Sequence, residues 1–427
     1  MERTIVYLFA GLLGVLFPNV SFAQAPIDGV FRDAFEPAGI FFSDCQAGAA
    51  AGCVPGNNAN AGSIAAPKRD LSGIGINALP AGTRLHFARG GAWNWTNVRL
   101  ENALATASRP LSFEAYGAGP RPLFNAPGIG SGAIDFGDYN NTSNDGGYVF
   151  RGLKFDGQGS TAHAFFLIHN LHDVTIEDCE LTGFYIAIHA QARAPHGLRH
   201  IAIRNNQIVR NGGMGILGQL RDSVIEGNTF GANNVGGSGF DHGTYLSGDD
   251  GISGINVTLR NNRYLRNSVV NGVCTGGNMT FHGQMDGLLI EGNTIEQDAA
   301  AEGCWLMSIT QGRNTPEWFR NVVVRGNTLV NGGNTIIAVQ SAPGILIEDN
   351  RIFNTQLAFQ VGIGVGSTEY QGGDVPDGNA IVRNNIGCYP TPGHQSTLVR
   401  VTAPDSLVTN NLSYSGAAAT TGPCLRE

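Results

Sequence analysis

Proton-transfer chemistry in this chain falls to imidazole and phenol. Ten histidines and ten tyrosines stand against two lysines, Lys68 and Lys154, and imidazole is the side chain that titrates nearest neutrality. One stretch concentrates these groups: Asp241-His242-Gly243-Thr244-Tyr245, leaving through Gly248-Asp249-Asp250, with Phe281-His282-Gly283 one repeat later. Tyr245, His282 and His242 are the candidate catalytic residues, since together they supply an acid and a base. His189, Arg193, Asp241, Gln311 and Arg313 are the candidate substrate-binding groups around them. Asp241, Asp249, Asp250 and Asp286 suggest a second chemistry, because paired carboxyl groups suit hydrolysis of a glycosidic bond. Each also has a plain structural role available: an outward His on a repeat surface is often just solvated, and Asp beside Gly is a turn residue.

The elements that must hold these residues are short and glycine-rich. The chain has 427 residues, a net charge of −8, 14% charged residues and 61 glycines. That is about twice the usual glycine usage, without a collagen period, and the low charge argues against coiled coil, disorder and solvated helical bundles. Scarce lysine leaves no basic patch for a nucleic-acid partner. Residues 1–23, with Arg3, an apolar run from Ile5 to Phe17 and the small-x-small site Ser21-Phe22-Ala23, read as a cleaved secretory signal. The protein is therefore expected to be secreted, monomeric and free of the membrane after cleavage. Export permits disulfides. Cys45 could pair with Cys53, Cys274 with Cys304 and Cys388 with Cys424, which leaves Cys179, a residue that the repeat buries.

From about residue 147 one phrase recurs: an apolar strand, a turn with Asn, a second strand, Gly/Asn turns, a third strand. The turn asparagines are Asn206, Asn228, Asn262, Asn293, Asn327, Asn350, Asn385 and Asn411, with Leu153 and Cys179 in the two earlier turns. The spacing is that of a solenoid. Three short strands per repeat and no helical period predict an all-β, single-stranded parallel β-helix of about eleven or twelve coils, stacked about 4.8 Å apart. Two residues before each turn position stand Arg151, Glu177, Arg204, Glu226, Arg260, Glu291, Arg325, Glu348 and Arg383. Their sign alternates at every step, as expected where consecutive coils lie side by side. These arginines and the asparagine column are structural ladders and leave the list of catalytic candidates.

The repeat, together with the stretch Gly56-Asn57-Asn58-Ala59-Asn60-Ala61-Gly62 and the run Leu79 to Phe87, resembles the right-handed parallel β-helix proteins of the pectate lyase-like superfamily. The likeness divides the chain into a signal (1–23), an N-terminal cap leading into the first coil (24–83) and a β-helix (84–427). It implies a carbohydrate groove over the strand that follows the long Gly/Asn turn. Aligning those strands on Ile168, Ile188, Leu217, Leu246, Phe281 and Val339 as inward residues turns His169, His189, Gly218, Ser247, His282, Gln311 and Gln340 outward. A second outward column puts Tyr245 diagonal to His282. The expected function is that of a polysaccharide lyase or C5-epimerase acting on an acidic polysaccharide by proton abstraction, with Arg193 or Arg313 neutralising the substrate carboxylate. The alternatives are a glycoside hydrolase using paired Asp residues and a non-catalytic adhesin or carbohydrate-binding solenoid. No cofactor is expected; calcium stays open, although Asp135 alone does not make a site for it.

Overall fold

A computed structural model describes residues 39–136, 145–274, 276–297, 304–313, 316–357, 360–367, 370–394 and 396–425. The expected signal, and the cap as far as residue 38, lie outside the described residues. Among the described residues no helix is long and apolar enough to cross a membrane.

Each coil turns through three short strands, and like strands of successive coils pair in parallel. On the first face the ladder begins where Gly39–Phe42 pairs with Arg84–Ala88, within the cap segment, and ends at Leu407–Thr409. The second face is a twelve-stranded sheet from Ala92–Asn94 to Leu412–Ser415. The third face carries β1 (His163–His169), β2 (Ile186–Ala192), β3 (Ile216–Gly218), β4 (Thr244–Gly248), β5 (Met279–Asp286), β6 (Met307–Ile309) and β7 (Thr335–Val339). Alternate residues point inward and stack on their equivalents above and below, so one apolar core runs through the coils.

The charge ladder forms as expected. Glu226 lies 2.6 Å from both Arg204 and Arg260, and Arg325–Glu291 and Arg383–Glu348 close at 2.7 and 2.6 Å. The asparagine column is a continuous buried hydrogen-bond chain. The backbone N–H and Nδ2 of Asn206 both donate to Asn228 Oδ1 at 2.9 Å, and the pattern repeats to Asn411. The left-handed turn residue is the one before each ladder asparagine (Asn205 φ 54°, Gly227 φ 66°, Asn261 φ 55°), so the ladder asparagines themselves are spared that conformation. A second buried stack, Asn211–Asn233–Asn267, guards the next turn. Cys45–Cys53, Cys274–Cys304 and Cys388–Cys424 are disulfides. Cys179 is a buried free thiol, pushed up to about 12 by burial, at the start of the asparagine column: its N–H donates to Asn206 Oδ1.

The third-face register corrects the sequence alignment in its early coils. The inward column through Leu246 runs Leu167, Ala190, Gly218, Leu246, Phe281, Ile309, Val339. Ile168, Ile188 and Leu217 do not belong to it. The reason is volume: a Cβ added at Gly218 would lie 3.3 Å from both Ala190 Cβ and Leu246 Cδ2. Small residues fill inward positions beside a bulky neighbour, and matching by hydrophobicity slips past them.

Candidate active site

Tyr245, Thr280, Ser308 and Ala338 stack on successive strands β4 to β7 and form the floor of a cleft. The next outward residues, His282, Thr310 and Gln340, make its downstream side. Loops running into β4 and β6 bring Phe240, His242 and Trp305 to the upstream side. The enclosed space is about 750 Å³ and is also lined by Gln311 and Gly312. Past Ala338 and Gln340 the groove continues into a hollow of about 210 Å³ that includes Arg400.

The Tyr245 ring lies between two imidazoles, stacked on His242 with centroids 5.6 Å apart and tilted against His282 at 5.3 Å. His242 is 8% exposed, and its Nδ1 accepts from the Gly277 N–H at 3.1 Å. Accepting at Nδ1 puts the neutral ring's proton on Nε2. Burial, then the nearby His282, hold the His242 pKa down at about 4. Behind His282 sits Glu317, wholly buried, with Oε1 3.5 Å from His282 Nδ1. At that length the contact is an electrostatic one, looser than a hydrogen bond. Glu317 accepts from the backbone N–H groups of Gly283 (2.6 Å), Gly312 and Arg313 (2.8 Å). Burial would raise its pKa, but His282 and these three donors outweigh it and hold the carboxyl at about 2. A loop from two coils further on braces it: the Glu317 N–H donates to Asp374 Oδ1 at 2.7 Å, and the Val375 N–H donates to the Glu317 carbonyl.

Of the residues singled out from sequence, Tyr245, His282, His242 and Gln311 come together here. His189 lies in the Tyr245 column two coils back, its Nδ1 3.2 Å from His163 Nε2; burial lowers the pKa of both rings, that of His163 to about 4. Asp241 turns its carboxyl to the Tyr185 phenol instead of to His242. Arg313 offers Glu317 its backbone N–H, and Arg193 follows β2 on an exposed turn outside the cleft lining. Asp249, Asp250 and Asp286 are likewise absent from the lining. Sequence reasoning missed Glu317, Trp305 and Phe240. Glu317 lies outside the strand columns, and only its three backbone donors single it out; Trp305 follows Cys304 immediately, the one local signal available. Among the described residues no group of three or more His, Cys, Asp or Glu is placed to hold a metal ion.

No protein-family profile and no curated protein matches the sequence. Solved structures match it in fold. DFA-IIIase from Arthrobacter chlorophenolicus A6, determined without its lid and in complex with GF2, is 12% identical over 80% of this chain and 89% of that chain, with a TM-score of 0.51. Pectate lyase Pel9A is 14% identical over 91% and 82% (TM-score 0.48), and PfbA, a surface adhesin of Streptococcus pneumoniae, is 12% identical over 81% and 85% (TM-score 0.46). Such similarity speaks to architecture alone. The chain is a right-handed parallel β-helix protein.

Proposed function

We propose that this protein is a secreted, monomeric carbohydrate-active enzyme that cleaves an acidic polysaccharide by β-elimination. The observation that carries this reading is Tyr245 held between His242 and His282, with Glu317 buried behind His282. His282 takes the C5 proton of a uronate. The C4–O bond breaks as the C4=C5 double bond forms, and the departing oxygen takes its proton from the Tyr245 phenol. Glu317 fixes the imidazole and stabilises its positive charge as the proton arrives. The Gln311 amide meets the substrate carboxylate, with neutral His242 packed against the Tyr245 ring. C5-epimerisation would use the same parts, with reprotonation from the opposite face. Secretion is supported by the N-terminal signal pattern and the three disulfides.

Incubation with a panel of uronate polymers tests this. Absorbance of the unsaturated product is expected, falling at least a hundredfold in Tyr245→Phe and His282→Ala. New reducing ends without that absorbance would mean hydrolysis, and full activity in both variants would remove the site assignment.

A further inference from the structure

The two sides of the cleft differ in chemistry. Upstream, Phe240 is 85% exposed and Trp305 is 40% exposed, both on the cleft lining. Large aromatics left in water at a cleft mouth are costly unless something covers them. Both stand on tied-down backbone. Asn234 Nδ2 donates to the carbonyls of Ser238 and Asp241, Asn234 Oδ1 accepts from the Ser238 N–H, and the Phe240 N–H donates to Ser238 Oγ. Trp305 follows Cys304, which is stapled to Cys274. Downstream, Thr310, Gln311 and Gln340 supply hydroxyl and amide groups, and Gln311 Oε1 is engaged by Ser341 Oγ at 3.4 Å. Among the described residues that line the cleft, none is Asp, Glu, Lys or Arg.

We infer that the cleft is a glycosyl-binding subsite working through uncharged contacts: one sugar ring lays its apolar face on Phe240 and Trp305 and turns its polar edge, carboxyl included, to Thr310, Gln311 and Gln340. This rests on the carbohydrate reading above and deepens it. A pyranose has a C–H face and a hydroxyl rim, which is the amphipathic pattern these two walls complement. The tied backbones present the aromatics in fixed positions, so little ordering cost remains on binding. The carboxyl group meets neutral donors, so affinity does not depend on an ion pair.

Fluorescence titration tests this, because the other tryptophans are set apart: Trp93 and Trp95 are buried, and Trp318 carries the Arg320 guanidinium 4.2 Å from its ring. The probes are oligouronides and their carboxyl-reduced neutral counterparts. Both are expected to change the emission. Phe240→Ala and Trp305→Ala should each weaken binding about tenfold, whereas Trp305→Phe, followed by calorimetry, should bind as the parent does while losing the emission change. A tenfold rise in ionic strength should move the Kd less than about twofold. Unchanged affinity in both alanine variants with unchanged circular dichroism, steep salt dependence, or no binding by either probe would each overturn the subsite. Binding without any product would leave it standing and remove the elimination reading instead.

Discussion

Glu317 decides what His282 can do. A carboxylate with three backbone N–H donors and no exposed surface is already ionised and cannot swing away, so it offers the imidazole a fixed negative charge. Glu317→Gln keeps the shape and removes the charge. It is expected to lower kcat on the order of tenfold or more with little change in KM; an unchanged kcat would assign Glu317 a purely structural role. His242 makes a stability prediction. Its folded pKa of about 4 lies below the reference 6.5, and His163 behaves alike. Between those values the unfolded chain binds protons that the folded chain refuses, so stability falls as pH drops from about 6.5 and stops falling below about 4. Asp145 opposes this: burial pushes it up to about 6, so it adds stability as pH falls from there toward 3.8. The difference between His242→Gln and the parent isolates the histidine, and denaturation midpoints at a series of pH values should show a flatter slope in the variant.

At the scale of elements, two ladders hold the coils in register, with very different strengths. Asn293 Oδ1 accepts from both the N–H and Nδ2 of Asn262, while its own Nδ2 reaches the Leu259 carbonyl and Asn327 Oδ1, all out of water. Asn293→Ala strands buried donors and acceptors and is expected to cost about 3 kcal/mol. The Arg383–Glu348 pair is half in solvent, and Arg383→Ala should cost less than about 1 kcal/mol. Urea midpoints on the two variants would check the contrast, and equal losses would contradict it. Spacing and sign alternation made both ladders readable in the sequence. The second stack, Asn211–Asn233–Asn267, is harder to read from spacing, because its period is interrupted after three members.

For the whole molecule, a linear stack means that each coil depends mainly on its neighbours. The Cys388–Cys424 bridge and its small cluster with Ala419 close the C-terminal coils, far along the stack from Tyr245. Cys424→Ser is expected to raise hydrogen exchange in the last two coils while leaving protection around β4 and β5, and cleavage activity, unchanged. Loss of protection along the entire solenoid would instead show one cooperative unit. Treatment with a chelator should leave activity intact, since the proposed chemistry uses only side chains.

The sequence by itself determined the coil, its period and the phase of the two main ladders, because these are local in spacing and repeated until chance is excluded. Tyr245 and His282, on two adjacent strands of readable columns, were also legible, with His242 on the loop just before the first of them. Only the tertiary structure decided that Glu317 stands behind His282, that Asp241 turns away to Tyr185, that Gly218 rather than Leu217 faces inward, and that Phe240 and Trp305 share a wall. These depend on turns of unequal length and on which side chain fills which volume. A two-residue alternation sets the direction of a strand residue, whereas a loop residue takes its direction from the neighbours that the packed coils supply.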